Sequence, residues 1–339
     1  MNFKRVKFYL TLFFGGLVYI LFIWYFSTKV HLTDIAKIFQ EGSIFYLSLA
    51  GLCGLTMIFF QGFLLKKVFN LCQIDLSLKE ALMTWLVTIP AGLFSIGLGG
   101  PAIIFYVANK KQESKKIAAQ ATISFFLFYL IPIIFFVLLV ANFGFYQMTN
   151  LKPIDLLLLV FDLIFLILFF LLLSNRSFRE KVSGLIKTIF PKIGPKVSFL
   201  KPTSVSTRDF LITLAISALV TILNFIILIF SLKTFQIKSS IFLISKNFIG
   251  AEIISMVAPT SGGVGFVEIG LIGFLKLSGL STIQAVLTTL VYRLVNFWLP
   301  FLFGALILVF RGYHFVQNRL EDKIISDDAE DISVNRDEI

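Results

Sequence analysis

The sequence predicts an all-α polytopic membrane protein with six full spans plus two broken or re-entrant helical hairpins. That makes eight apolar segments, in an order that admits inverted pseudo-symmetry. Composition is the first reason. Of 339 residues, 58% are hydrophobic and 14% are charged, against roughly a quarter charged in soluble domains. Mean hydropathy is +0.92, and a water-facing surface could not absorb 41 phenylalanines. The second reason is segmental: several apolar runs reach the ~20 residues that a crossing helix needs. The third is the placement of charge, which falls in short loops beside those runs.

The first run, residues 8–26, follows "MNFKRVK" and superficially resembles a signal peptide. Its bulky aromatics and the lack of a small-x-small cleavage site read it as a retained span. Further full spans are expected at residues 44–65, 118–143, 154–173, 210–232 and 282–310. Two apolar stretches are interrupted. Residues 81–107 contain Pro90 and then "GLGGP", and residues 241–277 contain Pro259 and then "SGGVG".

Charge counting decides how these two run. The segment 174–208 holds eight basic residues and one acid, and 108–117 holds four and one. Lys4, Arg5 and Lys7 mark the N-terminus. If both interrupted stretches crossed straight through, the two basic loops would lie outside, against the positive-inside bias. Hairpins that return to their own side place all three basic segments and both termini in the cytoplasm, with the hairpins entering from opposite faces. Two short tilted spans per stretch would keep the same orientation. A proline kink in one continuous helix is the remaining alternative.

The domain reading is a helical membrane domain over 1–315 and an acidic, disordered cytoplasmic tail over 316–339. Residues 321–339 carry eight acids against two basic residues. Within 174–208, "FREKVSGLIKTIFPKIG" mixes basic and apolar residues in a way that suits the inner membrane surface.

A net charge of +11 does not point to nucleic acid, because topology accounts for its distribution. Cys53 and Cys72 form no disulfide framework, and His31 and His314 are isolated, so neither metal nor cofactor is expected. No phosphate-binding loop, zincin pair or Ser-His-acid set occurs, so no catalytic residue is assigned.

Four charges are singled out within apolar stretches: Asp162, Glu252, Glu268 and Arg293. A charge near the bilayer centre costs roughly 2.5–3.5 kcal/mol even on an insertion scale, so such residues pair or face a wet cavity. Glu252 and Glu268 flank the second break, and Arg293 follows in the next helix as the expected partner. A pair that only pins helices together is the plainer reading. Glycines at Gly99 and Gly100, and Ser261, Gly262, Gly263 and Gly265, either let helices pack closely or expose N–H groups to an anionic headgroup. Lys110 and Lys111 either gather anionic lipid or fix topology. Gln120, Asn224, Gln284 and Asn296 add amides that could line the same cavity.

The run from Pro259 to Glu268, Pro-x-x-Gly-Gly-x-Gly-x-x-Glu, resembles the signature of the lysylphosphatidylglycerol synthase transmembrane family, also called flippase-like integral membrane proteins. "VYRLVNFWLP", with Tyr292 and Arg293, resembles its Tyr-Arg segment, and "GGPAIIFYVANKK" is similar to its earlier Gly-Gly-x-Pro segment. The resemblance implies a helical membrane domain that binds or moves phospholipid headgroups, such as an aminoacylated phosphatidylglycerol, with Tyr292 joining the site. In the full-length enzymes a cytoplasmic domain transfers lysine from lysyl-tRNA to phosphatidylglycerol. This sequence stops about 30 residues after its last apolar run, so that domain is not expected. The first motif lacks the Gly-Glu and Arg of other branches. The expected function is therefore binding and translocation of an anionic phospholipid at the cell membrane. The alternatives are a lysyltransferase or glycolipid synthase, alone or with a separately encoded catalytic subunit, and an accessory subunit to an envelope glycosyltransferase.

Overall fold

The computed structural model describes residues 42–94, 99–112, 114–148, 206–258 and 260–310. The expected spans at 8–26 and 154–173, Asp162, the basic segment up to residue 205 and the acidic tail lie outside the described residues, as do Pro259 and the first break at 95–98. Among the described residues every regular element is helical.

Helix α1 is Ile44–Leu71, α2 Leu78–Phe94, α3 Gly99–Gln112 and α4 Lys115–Met148. Helix α5 is Thr207–Thr234, α6 Ile241–Val257, α7 Phe266–Leu277 and α8 Thr282–Phe310. Four of them, within α1, α4, α5 and α8, are long and apolar enough to cross a membrane. The 28 residues of α1 extend about 42 Å, beyond the ~30 Å hydrocarbon core.

Local chemistry sets the ends. Ser77 and Glu80 cap α2 reciprocally, the Ser77 N–H donating to Glu80 Oε2 at 2.9 Å and the Glu80 N–H to Ser77 Oγ at 3.2 Å. Ser281 and Gln284 repeat the device on α8, and Ser240 Oγ accepts from the Leu243 N–H on α6. Helices α1, α5 and α7 close alike. Gln73, Gln236 and Gly279 take positive φ, and Ile74, Ile237 and Leu280 donate back to Phe69, Leu232 and Leu275.

Helix α1 lies antiparallel to α5, since the Ser43 N–H at its start donates to the Thr234 carbonyl at the end of α5, 2.8 Å away. Phe136, Phe225 and Phe248 then join α4, α5 and α6, with ring centroids 5.1–5.4 Å apart.

The interrupted stretches both turn back, which excludes the continuous kinked helix. Lys111, near the end of α3, pairs with Glu80, near the start of α2, at 2.8 Å. Gln112 Nε2 donates to the Gln73 carbonyl at 2.5 Å. Lys111 and Ser77 hold the Glu80 carboxyl down at about 2, against an ordinary 4.5. In the second stretch, Ser278 Oγ after α7 donates to Asn247 Oδ1 in the second turn of α6 at 3.0 Å. The first hairpin is rooted where α1 ends and the second where α5 ends, at opposite ends of the antiparallel α1–α5 pair. Their arms hold 17, 14, 17 and 12 residues. That is about 18–26 Å, short of a full crossing. Helix α2 packs against the tip of the second hairpin.

Candidate functional site

Between the two hairpins lies a cavity of about 840 Å³. Helix α1 contributes Gln61, the first hairpin Trp85, Thr88, Gly100 and Ile104, and α4 Phe126 and Tyr129. Asn224 comes from α5, Glu252 and Ser255 from α6, Gly262 from the second tip, and Tyr292, Arg293, Asn296 and Phe297 from α8.

The second tip is built around its glycines. Gly262, Gly263 and Gly265 have φ of 60°, 65° and 84°, in the region that L side chains disfavour. Thr260 knits the turn, accepting from the Gly263 N–H through its carbonyl and donating from Oγ1 to the Val264 carbonyl at 2.9 Å. The side chain of Ser261 is not among those described. A Cβ on Gly262 would come within 2.6 Å of the Phe297 ring.

Glu268, expected beside the break, lies in the first turn of α7 and is 4% exposed. Its Oε2 accepts from the Gly265 N–H at 2.7 Å, and its Oε1 accepts from Arg293 Nε at 2.8 Å. The chain's own carboxylate thus takes an N–H at this half-helix start, where an anion would otherwise be drawn by the helix dipole. Arg293, also 4% exposed, donates from Nη2 to the Gly262 carbonyl at 3.1 Å. Its guanidinium lies 4.5 Å from the Phe297 ring centre. Its Nη1 has no hydrogen-bond partner among the described residues. One side chain therefore holds α8, the tip and α7 together while lining the cavity.

Glu252 sits across from this cluster, 5% exposed. Asn224 Nδ2 donates to its Oε1 at 2.8 Å, and the Tyr292 hydroxyl lies beside the same carboxylate. Asn296 Nδ2 donates in turn to Asn224 Oδ1 at 3.3 Å. Leu294–Trp298, immediately after Arg293, form a π-helical turn, a local widening that recurs at functional sites. Asn296 and Phe297 both lie within that turn.

Of the residues singled out from sequence, Gly100, Glu252, Gly262, Tyr292 and Arg293 meet at the cavity. Glu268, Gly263 and Gly265 lie buried behind its wall. Gly99 opens α3 beside it without lining it. Lys110 and Lys111 are exposed at the far end of α3, at the hairpin's root. Asn224 and Asn296 line the cavity, whereas Gln284 is spent on the α8 cap and Gln120 lies elsewhere on α4. Sequence reasoning missed Gln61, Tyr129 and Phe297. Only Gln61 carried a signal, a lone amide inside "IFFQGFLL".

These features define a multi-pass helical membrane protein with a charged cavity between two opposed hairpins. The family described as "Lysylphosphatidylglycerol synthase TM region" matches residues 12–304. The chain belongs to that family. A comparison with curated proteins finds no match.

Proposed function

We propose that this protein binds the headgroup of an anionic or aminoacylated phospholipid in the cavity and carries it across the cell membrane, with both termini cytoplasmic. The observation that supports this reading is the mixed character of the cavity. Charged and amide groups on α5, α6 and α8 face it together with the apolar surfaces of Trp85, Ile104, Phe126 and Ile133. A headgroup moved through bare hydrocarbon would meet the full desolvation penalty. A cavity of this kind supplies replacement partners while the acyl chains stay in an apolar setting. Arg293 Nη1 is the donor available to a lipid phosphate. Glu252 has no basic side chain within ion-pair distance among the described residues, so it is the acid available to an aminoacyl ammonium. The parallel order of the chain also supports an inverted-repeat transporter. Each hairpin follows a 28-residue helix closed by a Gln-Ile turn.

Translocation of fluorescent phosphatidylglycerol and its lysyl derivative in proteoliposomes tests the reading. Arg293→Gln combined with Glu268→Gln removes both charges of the buried ion pair together and should lower transport at least about ten-fold, with the folded fraction checked by circular dichroism. Full transport by that double variant would sink the mechanism. Lipid analysis of cells with and without the gene separates the alternative. Loss of a lipid species would indicate synthesis, whereas altered outer-leaflet exposure of an unchanged inventory indicates transport.

A further inference from the structure

We infer that the cavity contains a headgroup subsite selective for hydrogen-bond donors, with Asn296 Oδ1 as its acceptor and the Glu252–Asn224 contact fixing that polarity. This deepens the transport reading and rests on it.

A carboxyl oxygen that carries no proton can only accept, and Glu252 Oε1 is the acceptor here. Because Asn224 meets Glu252 Oε1 at 2.8 Å, the Asn224 group facing it is the amino group. Asn224 Oδ1 then faces the other way, and Asn296 must present Nδ2 to it, at 3.3 Å. The amide of Asn296 is thereby oriented by a carboxylate two residues removed along the relay. Its remaining atom, Oδ1, is buried and has no partner among the described residues. Gln61, 5% exposed and lining the same cavity, leaves a second buried carbonyl oxygen, Oε1, equally without one. Arg293 does not serve either oxygen, since its Nε and Nη2 are directed to Glu268 and to the Gly262 carbonyl.

Buried acceptors left open favour a ligand that brings donors. The class that fits is a lipid headgroup with N–H or O–H groups, a primary ammonium or a glycerol hydroxyl, rather than a quaternary ammonium. A lipid rather than a free solute is favoured because exposed apolar side chains, Phe126, Ile134 and Met256, line the same cavity. The relay also has a second setting. A carboxamide at position 252 can donate to Asn224 Oδ1, which turns both asparagines over and presents an N–H to the cavity.

Competition binding to the purified full chain in detergent tests this with two lipids of equal net charge. Phosphatidylethanolamine carries N–H donors and phosphatidylcholine carries none. The unaltered protein should prefer phosphatidylethanolamine by about ten-fold, the scale of one or two hydrogen bonds to otherwise unsatisfied groups. Asn296→Leu and Glu252→Gln should each bring that preference to within about two-fold. A preference that survives both substitutions reflects headgroup size and overturns the inference. Equal affinity of the unaltered protein for the two lipids overturns it without any variant having to fold, and leaves the transport reading standing. Binding of neither lipid also overturns the inference, while the transport reading is judged separately by the phosphatidylglycerol assay. Displacement of bound lipid by free phosphoethanolamine would reassign the site to a soluble solute and overturn it as well.

Discussion

Arg293 carries more of the site than any other side chain, because three separate segments converge on it. Its Nε and Nη2 hold α7 through Glu268 and the hairpin tip through the Gly262 carbonyl. Removing one partner of such a buried pair leaves the other charge uncompensated, at a cost of about 3–5 kcal/mol. Arg293→Ala should therefore destabilise the protein far more than Arg293→Gln with Glu268→Gln. Denaturant unfolding in detergent measures the difference, and equal losses would argue against a coupled pair. The pairing was legible in the sequence because a carboxylate and a guanidinium in apolar runs each need a partner. The Glu252–Asn224–Asn296 relay was not. An amide inside a span is too common a residue to announce its neighbours, and these two lie 72 positions apart.

At the scale of elements, the second hairpin depends on backbone that only glycine adopts easily. Gly262→Ala adds a side chain at φ 60° and drives it towards Phe297. A cost of roughly 1–3 kcal/mol is expected from the conformation alone. Ring displacement should also disturb Arg293, which stacks on Phe297. The variant should unfold at lower denaturant, whereas Gly273→Ala, which meets open space on α7, should not. Element existence was legible in the described residues from hydropathy, with the glycine clusters beside the breaks, whereas Pro90, expected to interrupt the first stretch, lies inside α2 and the turn comes after it. The role of the lysines after the first hairpin was harder to read. Lys110 follows Gly100 by ten residues, which a helix converts into about 15 Å. Sequence neighbours of the cavity motif thus end at the hairpin's root, where Lys111 meets Glu80.

Across the whole molecule, the roots of the two hairpins face opposite ends of the α1–α5 pair. Under the proposed orientation, which puts both termini in the cytoplasm, single cysteines at Ser77 and Ser114 should stay protected from an impermeant maleimide in intact cells. Cysteines at Ser240 and Ser281 should react, in a background lacking Cys53 and Cys72. Labelling of Ser77 and Ser114 on different sides would contradict a returning first hairpin, and the matching result at Ser240 and Ser281 would contradict the second. Hydropathy and charge placement by themselves determined the helical membrane class, the positions of the four described long helices and the two breaks. Those properties depend on transfer to lipid and on local charge, both of which are sums over neighbouring residues. Charge placement also favoured stretches that turn back; only the tertiary structure decided that their tips meet over one cavity and which buried amides are left with an open acceptor. Those outcomes depend on contacts between distant segments, such as Asn247 with Ser278 and Asn224 with Glu252.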